Sequence, residues 1–489
     1  MKNLLGNPFF TNRISTTVIL LVSVLLMSNS FGQETLTSQS SKHQPNEVSS
    51  TLDLQLSELI TRHKLTGSPV ASHAIPDISS PKAQLGMKLF FSKSLGGDKN
   101  TACASCHHPM LGGGDDLSLS IGVAADKPNA LGANRQTTDF KHTQVPRNAP
   151  TTFNITFWNK ILFHDGRIER LENNEITTPD MSYPKADLLA GESLVQAQAR
   201  FPITSAEEMR GEYLNASLNQ TLRRALAKRL QENWLLEFQK GFADETTSVE
   251  ELITEQNYSE AIAAYESSQV LINNPWKAYV EGDKKALSKD AKKGAKLFFT
   301  KQNEGGAGCA SCHSGDFFTD EKAYNTAMPQ IGLGKNNGET GSNDYGFELT
   351  TKLTKDKFRF RTPSLLNVEV TGPWGHAGAY NSLEAITEHM LSPNKSAQNY
   401  DVNQLKQENI IIKDVKANTL EALNFGIHLQ PKPNVTKDDV RYLVSFLKSL
   451  TDPCVNDRGC MSKWIPDAEM NDPDGLMLHA VDASTGKLL

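Results

Sequence analysis

Beyond its first thirty residues the chain has no long apolar run, and nothing approaches the ~20 consecutive apolar residues that a membrane-spanning helix requires. Cysteine is scarce, six in 489 residues, which excludes a fold built on a dense disulfide framework. Segments of alternating apolar and polar residues are also lacking, so the expected fold is mostly α, with long loops between helices. Nor is there an excess of basic charge. Lys and Arg total 50 against 56 Asp and Glu, a formal net charge of −6. That balance argues against nucleic acid and suits a basic protein partner.

The one apolar run, Val18 to Met27, follows Lys2 and Arg13 and precedes Ser30-Phe31-Gly32. It is too short to span a membrane comfortably and reads as a signal peptide over 1–32, cleaved near Gln33, which directs the chain to the periplasm. An uncleaved N-terminal anchor is the alternative. Cleavage removes Lys2 and Arg13 and no acids, taking the charge to −6 − 2 = −8 and the length to 489 − 32 = 457. At ~150 residues per domain that allows two or three domains. Residues 33–51 are rich in Ser, Thr and Gln, a disordered lead-in, with order beginning near Leu52.

Four of the six cysteines fall in one pentapeptide used twice: Cys103-Ala104-Ser105-Cys106-His107 and Cys309-Ala310-Ser311-Cys312-His313, with 309 − 103 = 206. CxxCH is the attachment signature of c-type haem. On a helical turn its two cysteines and its histidine share one face, so two thioethers and an axial imidazole reach one porphyrin. Each pentapeptide follows the same phrase, GMKLFF at 86–91 and GAKLFF at 294–299. The repeat unit is therefore helix, loop and haem site, which predicts two tandem cytochrome c-type domains, 52–275 and 276–460, and a poorly packed tail over 461–489. Leu218, Leu222, Leu226 and Leu230 predict an amphipathic helix within Ala216 to Phe242, and Val249 to Ser267 a second. Thr436 and Asp439 mark a helix start, with Val440, Leu443, Val444, Leu447 and Leu450 as its buried stripe. The remaining pair, Cys454 and Cys460, is expected to close a short disulfide loop in an oxidising compartment.

Further phrases carry a family resemblance: GGGDDLSLSIG after the first haem motif, RNAPTTFN, FHDGR, FPITSAEEM, FRFRTPSLLNVEVTGPWGHAG and LVSFLKSLTDP. Together, from about Leu52 to Cys460, they resemble the bacterial di-haem cytochrome c peroxidases and their MauG-like relatives. The resemblance implies an oxidoreductase with two covalent haem c groups and a calcium ion. In such proteins the N-terminal haem binds peroxide and the C-terminal haem stores and relays electrons. A homodimer is an expectation of the family only.

Residue by residue, the resemblance implies the following. His107 and His313 are the proximal iron ligands. The second haem takes a methionine fourteen residues after the histidine of the PWGHAG motif, here 376 + 14 = 390, Met390. A thioether raises the potential, as an electron store requires. The alternative is that Met390 continues the stripe of Leu383 and Ile386; Met328 and His389 are outside candidates. At the first haem the peroxidases place a histidine sixteen residues on, which must leave the iron before peroxide binds; here 107 + 16 = 123 is Val123. Valine offers no lone pair, so the distal side is expected to be open, unless the long following loop returns His142. Glu208 matches the acid–base glutamate of the family, while Ser205 and Glu208 also fit a capping box. His164 stands where the peroxidases have an inter-haem tryptophan, with Trp158 and Trp374 as substitutes. Asp165 and Arg167 read as a structural turn. Asn148, Thr371 and Pro373 match the calcium site, where hard oxygen donors are appropriate.

Three functions follow as expectations. The first is a peroxidase that reduces hydrogen peroxide with electrons from a small cytochrome c or cupredoxin. The second is a MauG-like enzyme that oxidises side chains of a protein substrate. The third is a di-haem electron carrier with no catalytic activity.

Overall fold

Two pairs of crossed helices carry the fold. In a computed structural model that describes residues 50–139 and 145–489, the side chains of 71 and 72 excepted, GMKLFF lies on helix Pro81–Phe91 and GAKLFF on helix Lys289–Phe299. Ser80 and Ser288 cap these helices, each hydroxyl accepting the N–H three residues on. The first crosses helix Glu255–Ser267 and the second crosses helix Lys437–Lys448. Gly86 and Gly294 sit at the crossing points. A Cβ on Gly86 would stand 1.9 Å from the Ala261 carbonyl oxygen, and one on Gly294 1.9 Å from that of Tyr442. Only glycine permits that approach.

The repeat extends well past the phrases visible in the sequence. The offset between the crossing helices is 442 − 261 = 181, and it recurs in the backbone that follows them. Asn154 N–H donates to Gln269 O and Asn367 N–H to Leu450 O, and 450 − 269 = 181. Asn154 Oδ1 accepts from Leu271 N–H and Asn367 Oδ1 from Asp452 N–H, and 452 − 271 = 181. Both asparagines adopt φ of 61°, a left-handed conformation their short polar side chain tolerates. Both also donate from Nδ2 to one oxygen, Leu271 O, at 3.1 and 2.9 Å. The two copies meet there.

Each crossing anchors its own apolar core. Phe90, Phe91, Ile262 and Tyr265 belong to the first; Phe298, Phe299, Leu443 and Phe446 to the second. The chain ends cross over. Helix Thr51–Arg62 sends Leu56 and Leu59 into the second core rather than the first. Residues 461–489 are not a loose tail. Met461, Trp464, Met477 and Leu478 are buried in the first core, Tyr265 OH donates to Trp464 O, and Val481–Asp482 pairs in parallel with Ala130–Leu131. These apolar residues are sparse and aperiodic, so no pattern announces them.

Among the described residues strand is confined to pieces of two or three residues: that parallel pair, an antiparallel run of Ile161–Leu162, Ile168–Arg170 and Ile176–Thr177, and Ala323–Tyr324 against Phe360–Arg361. The fold is mostly helical. The expected helix within 216–242 is two helices, Asn219–Leu230 and Leu235–Phe242, and Leu218 is its exposed N-cap rather than part of the buried stripe. The second expected stretch is likewise broken, into Val249–Leu252 and Glu255–Ser267. Thr436 and Asp439 form a reciprocal capping box, and Cys454 and Cys460 are joined as a disulfide. Among the described residues no helix is long and apolar enough to cross a membrane. The signal peptide, most of the lead-in and His142 lie outside the described residues.

Candidate active site

Each CASCH occupies a short 3-10 turn, Cys103–Ser105 and Cys309–Ser311, after which His107 N–H and His313 N–H reach back to the carbonyl of the first cysteine at 3.1 and 3.0 Å. The turn puts both thiols and the imidazole on one side. His107 Nδ1 lies 3.1 Å from Gly113 O; His313 Nδ1 lies 3.1 Å from both Phe318 O and Pro363 O. A carbonyl at Nδ1 fixes that nitrogen as the N–H and leaves Nε2 as the lone pair for a metal. Burial pushes both imidazoles below their usual pKa, so they stay neutral, as ligands must.

Cys103, Cys106 and His107 open onto a cavity whose empty space, its solvent-open mouth included, is about 1080 Å³. Its wall collects expected residues that are distant in sequence: Asn148, Trp158, His164, Arg167 and Glu208. Glu208 sits in a π-helical turn, Ala206–Arg210, capped by Ser205, whose Oγ accepts from Glu208 N–H at 3.3 Å. The Ser205 hydroxyl donates to Glu207, at 3.0 Å. Capping and cavity placement are thus compatible: the backbone of Glu208 is capped while its carboxyl lines the cavity. Burial raises the Glu208 pKa, and Arg167 and Lys335 pull it partly back.

The SIG turn backs onto this residue. A Cβ on Gly122 would lie 2.1 Å from Glu207 O and 2.4 Å from Glu208 O. Val123 follows, with its N–H 3.3 Å from Glu207 O, and is not part of the cavity wall. Of the histidines on that wall, His107 is the motif residue and His164 has its Nε2 3.0 Å from Asn148 O. Burial and the neighbouring Arg361 and Arg147 push His164 down to about 3, so it is neutral.

At the wall Arg147 is clamped between Asp165 and Asp344, at 2.6 and 2.7 Å, all three nearly inaccessible. Burial alone would raise both carboxyls, but Arg147 holds them below the usual range. Asp165 and Arg167 also pair, at 2.9 Å, as a structural turn should. Arg361 lies over the Trp158 ring at 3.6 Å, and Trp158 meets Phe317 edge-on at 5.2 Å.

One wall residue carried no sequence signal. Glu266, on helix Glu255–Ser267, is 4% exposed, lines the cavity and leaves Oε2 without a hydrogen-bond partner. Burial pushes its carboxyl up to about 8. Within its helix it resembles an ordinary polar position.

The cavity suits a haem: the two thiols and a neutral imidazole converge on it, and so does Arg361, whose buried Nε and Nη1 have no partner and match an anionic carboxylate edge. The second motif is different. Cys309 and Ala310 adjoin an apolar cluster of Phe318, Leu366, Val368, Leu383, Ile386 and Leu391. Helix Leu383–Leu391 carries half-buried Met390 into the adjoining cluster, beside Met328, Ile386 and Trp374. His389 is not available as a ligand, because Tyr380 OH lies at 2.8 Å from Nδ1 and Thr326 O at 2.8 Å from Nε2. Trp374 donates its indole N–H to Val368 O at 2.9 Å and does not reach the first cavity. Nor do Thr371 and Pro373. Asn148 donates from Nδ2 to Leu117 O and Ser118 O, which leaves its amide oxygen for an ion.

Residues 80–285 match a family model described as di-haem cytochrome c peroxidase. The chain is 29% identical over 314 residues to the methylamine utilization protein MauG of Methylorubrum extorquens, covering 64% of this chain and 69% of that one. It is 29% identical over 303 residues to the cytochrome c551 peroxidase of Pseudomonas aeruginosa, covering 62% and 69%. In fold it is similar to the diheme peroxidase BthA from Burkholderia thailandensis, with a TM-score of 0.54 at 21% identity over 82% of this chain and 91% of that one.

Proposed function

Because the chain belongs to the di-haem cytochrome c peroxidase family, a family of oxidoreductases, we propose that it is a periplasmic peroxidase that reduces hydrogen peroxide to water with electrons from a small donor protein. The observation that carries this reading is the joint placement of His107, Glu208 and the two motif cysteines on one cavity wall. Cys103, Cys106 and His107 hold the first haem; Cys309, Cys312, His313 and Met390 hold the second. When bound, the haems supply an iron site for peroxide and a store for electrons. Asn148, with Thr371 and Pro373, holds the calcium ion.

The protein's own part is ligation and proton placement. Gly113 O orients His107 through Nδ1. Glu208 takes the proton from the inner peroxide oxygen and gives it to the outer one, which leaves as water. Burial raises its pKa above the ordinary carboxylate value, which makes it a stronger proton acceptor and supports that cycling. Val123 in place of a blocking histidine supports a first haem open to peroxide without prior activation. Trp158, between the cavity and Phe317, supports an inter-haem path that does not need an aromatic at position 164.

A second reading, MauG-like oxidation of a protein substrate, is favoured by His164 and Val123 and opposed by Met390. Steady-state turnover with reduced cytochrome c or a cupredoxin decides between them, and Glu208→Gln tests the site. The variant is expected to lose about 10²–10⁴-fold in kcat. Full turnover in Glu208→Gln would remove the acid–base assignment.

A further inference from the structure

The two crossing helices differ at one buried position. The offset of 181 that matches Ala261 with Tyr442 and Gln269 with Leu450 matches Ile262 with Leu443, Tyr265 with Phe446 and Glu266 with Leu447. Leu447 packs in the second apolar core. At the same place in the first half a carboxyl faces the cavity, 4% exposed and with an unpartnered oxygen. An unpartnered carboxylate in such a place is costly by several kcal/mol, and a carboxylic acid much less so. Leu447 at the matching position shows that the crossing itself does not require a carboxyl there.

We propose that Glu266 is the redox-linked proton site of the first haem pocket, taking up one proton when the pocket gains one electron and releasing it when the electron leaves. This rests on the reading that the first CASCH carries the peroxide-binding haem. The step balances. The donor supplies one electron to the iron, water supplies one proton to Glu266, an O–H bond forms, and the pocket's net charge is unchanged. The coupling is coulombic: the oxidised pocket holds one more positive charge and favours the carboxylate, the reduced pocket favours the acid.

The charged and titratable groups around the cavity are those of every element that lines it. They are His107 from the motif turn, Glu208 from the π-helical turn, Arg147, His164 and Arg167 from the central loop, and Arg361 from the second half, with Tyr265 beside Glu266 on its own helix. Cys103, nearest in charge terms, is a non-titrating thioether once haem is attached. Burial is the sole influence that displaces the Glu266 pKa, which no cation of this set offsets. Glu208 differs in this respect, since Arg167 and Lys335 act on it.

The test uses the haem-loaded full chain. Spectroelectrochemical titration of the first haem from about pH 6 to about pH 9 is expected to show its midpoint falling with pH, towards one proton per electron. Redox-difference infrared spectra are expected to show a protonated-carboxyl band in the reduced state. Glu266→Gln should lose both the slope and the band, and Glu208→Gln should keep them. Glu266→Leu, which copies the second half, provides the same readout should the glutamine variant fail to fold. A pH-independent wild-type midpoint, or a slope and band that survive in the variants, overturns the proposal. A first haem inert to peroxide would defeat the peroxidase reading yet leave this titration readable, so the two failures are distinguishable.

Discussion

Around the first CASCH a largely apolar cavity wall carries several charged or polar groups: Glu208, Glu266, His164, Arg167 and Arg361 all reach it. Around the second the apolar neighbours are Phe318, Leu366, Val368, Leu383 and Leu391, with Met390 on the adjoining helix, and the polar groups beside Cys312 are Asp320, Lys322 and Tyr324. Yet the supports are the same: a glycine under a crossing helix, a left-handed asparagine bonded to Leu271, a carbonyl on the histidine Nδ1. The two copies share what positions each CASCH and differ in what surrounds it. Buried carboxyls on a cavity wall can move protons and stabilise changing charge; a thioether ligand favours a high potential. On the proposed function, chemistry and storage are thereby separated within one chain.

The shared supports should be equally sensitive. Gly86→Val and Gly294→Val each force a side chain into a carbonyl at 1.9 Å, and each is expected to cost about 3 kcal/mol or more, measured by denaturant unfolding. If only one of the two is destabilising, the crossings are not equivalent. Arg147→Ala should come next, at about 3–5 kcal/mol, because Asp165 from the first half and Asp344 from the second would be left buried and charged. The same pair sets an acid dependence. The folded-state pKa values of both carboxyls are depressed, so their stabilisation is complete above the unfolded value near 3.9 and is lost as pH falls below it.

The divergent parts should respond one half at a time. Met390→Leu is expected to lower the potential of the second haem by on the order of 0.1 V and leave the first unchanged, whereas Met328→Leu should change neither potential. A null result in the former would return Met390 to simple packing. The smallest effect is expected from opening the Cys454–Cys460 loop by Cys454→Ser with Cys460→Ser, no more than about 2–3 kcal/mol, even though it adjoins the segment that returns to the first core.

How far the sequence could be read follows from where the constraint lies. Haem attachment is a local covalent demand, so both CASCH motifs and the helices before them were legible, as was the capping box of Thr436 and Asp439. Glu208 was legible only through its neighbours Pro202 and Met209, because a glutamate after Ser205 fits a helix cap equally well. Glu266 was not legible. Its distinction depends on Leu447, its partner across the duplication, and that match requires the crossing geometry. The packed 461–489 segment escaped for another reason: Trp464, Met477 and Leu478 are separated by polar and turn-forming residues and gain meaning only against Phe91 and Tyr265.

The central claim is that one haem is open and the other closed. Electron paramagnetic resonance of the as-isolated ferric holoprotein asks this directly. The account predicts one high-spin signal, from the haem on His107 with Val123 in place of a blocking histidine, and one low-spin signal, from the haem on His313 and Met390. Two low-spin signals, with no high-spin component, would contradict it.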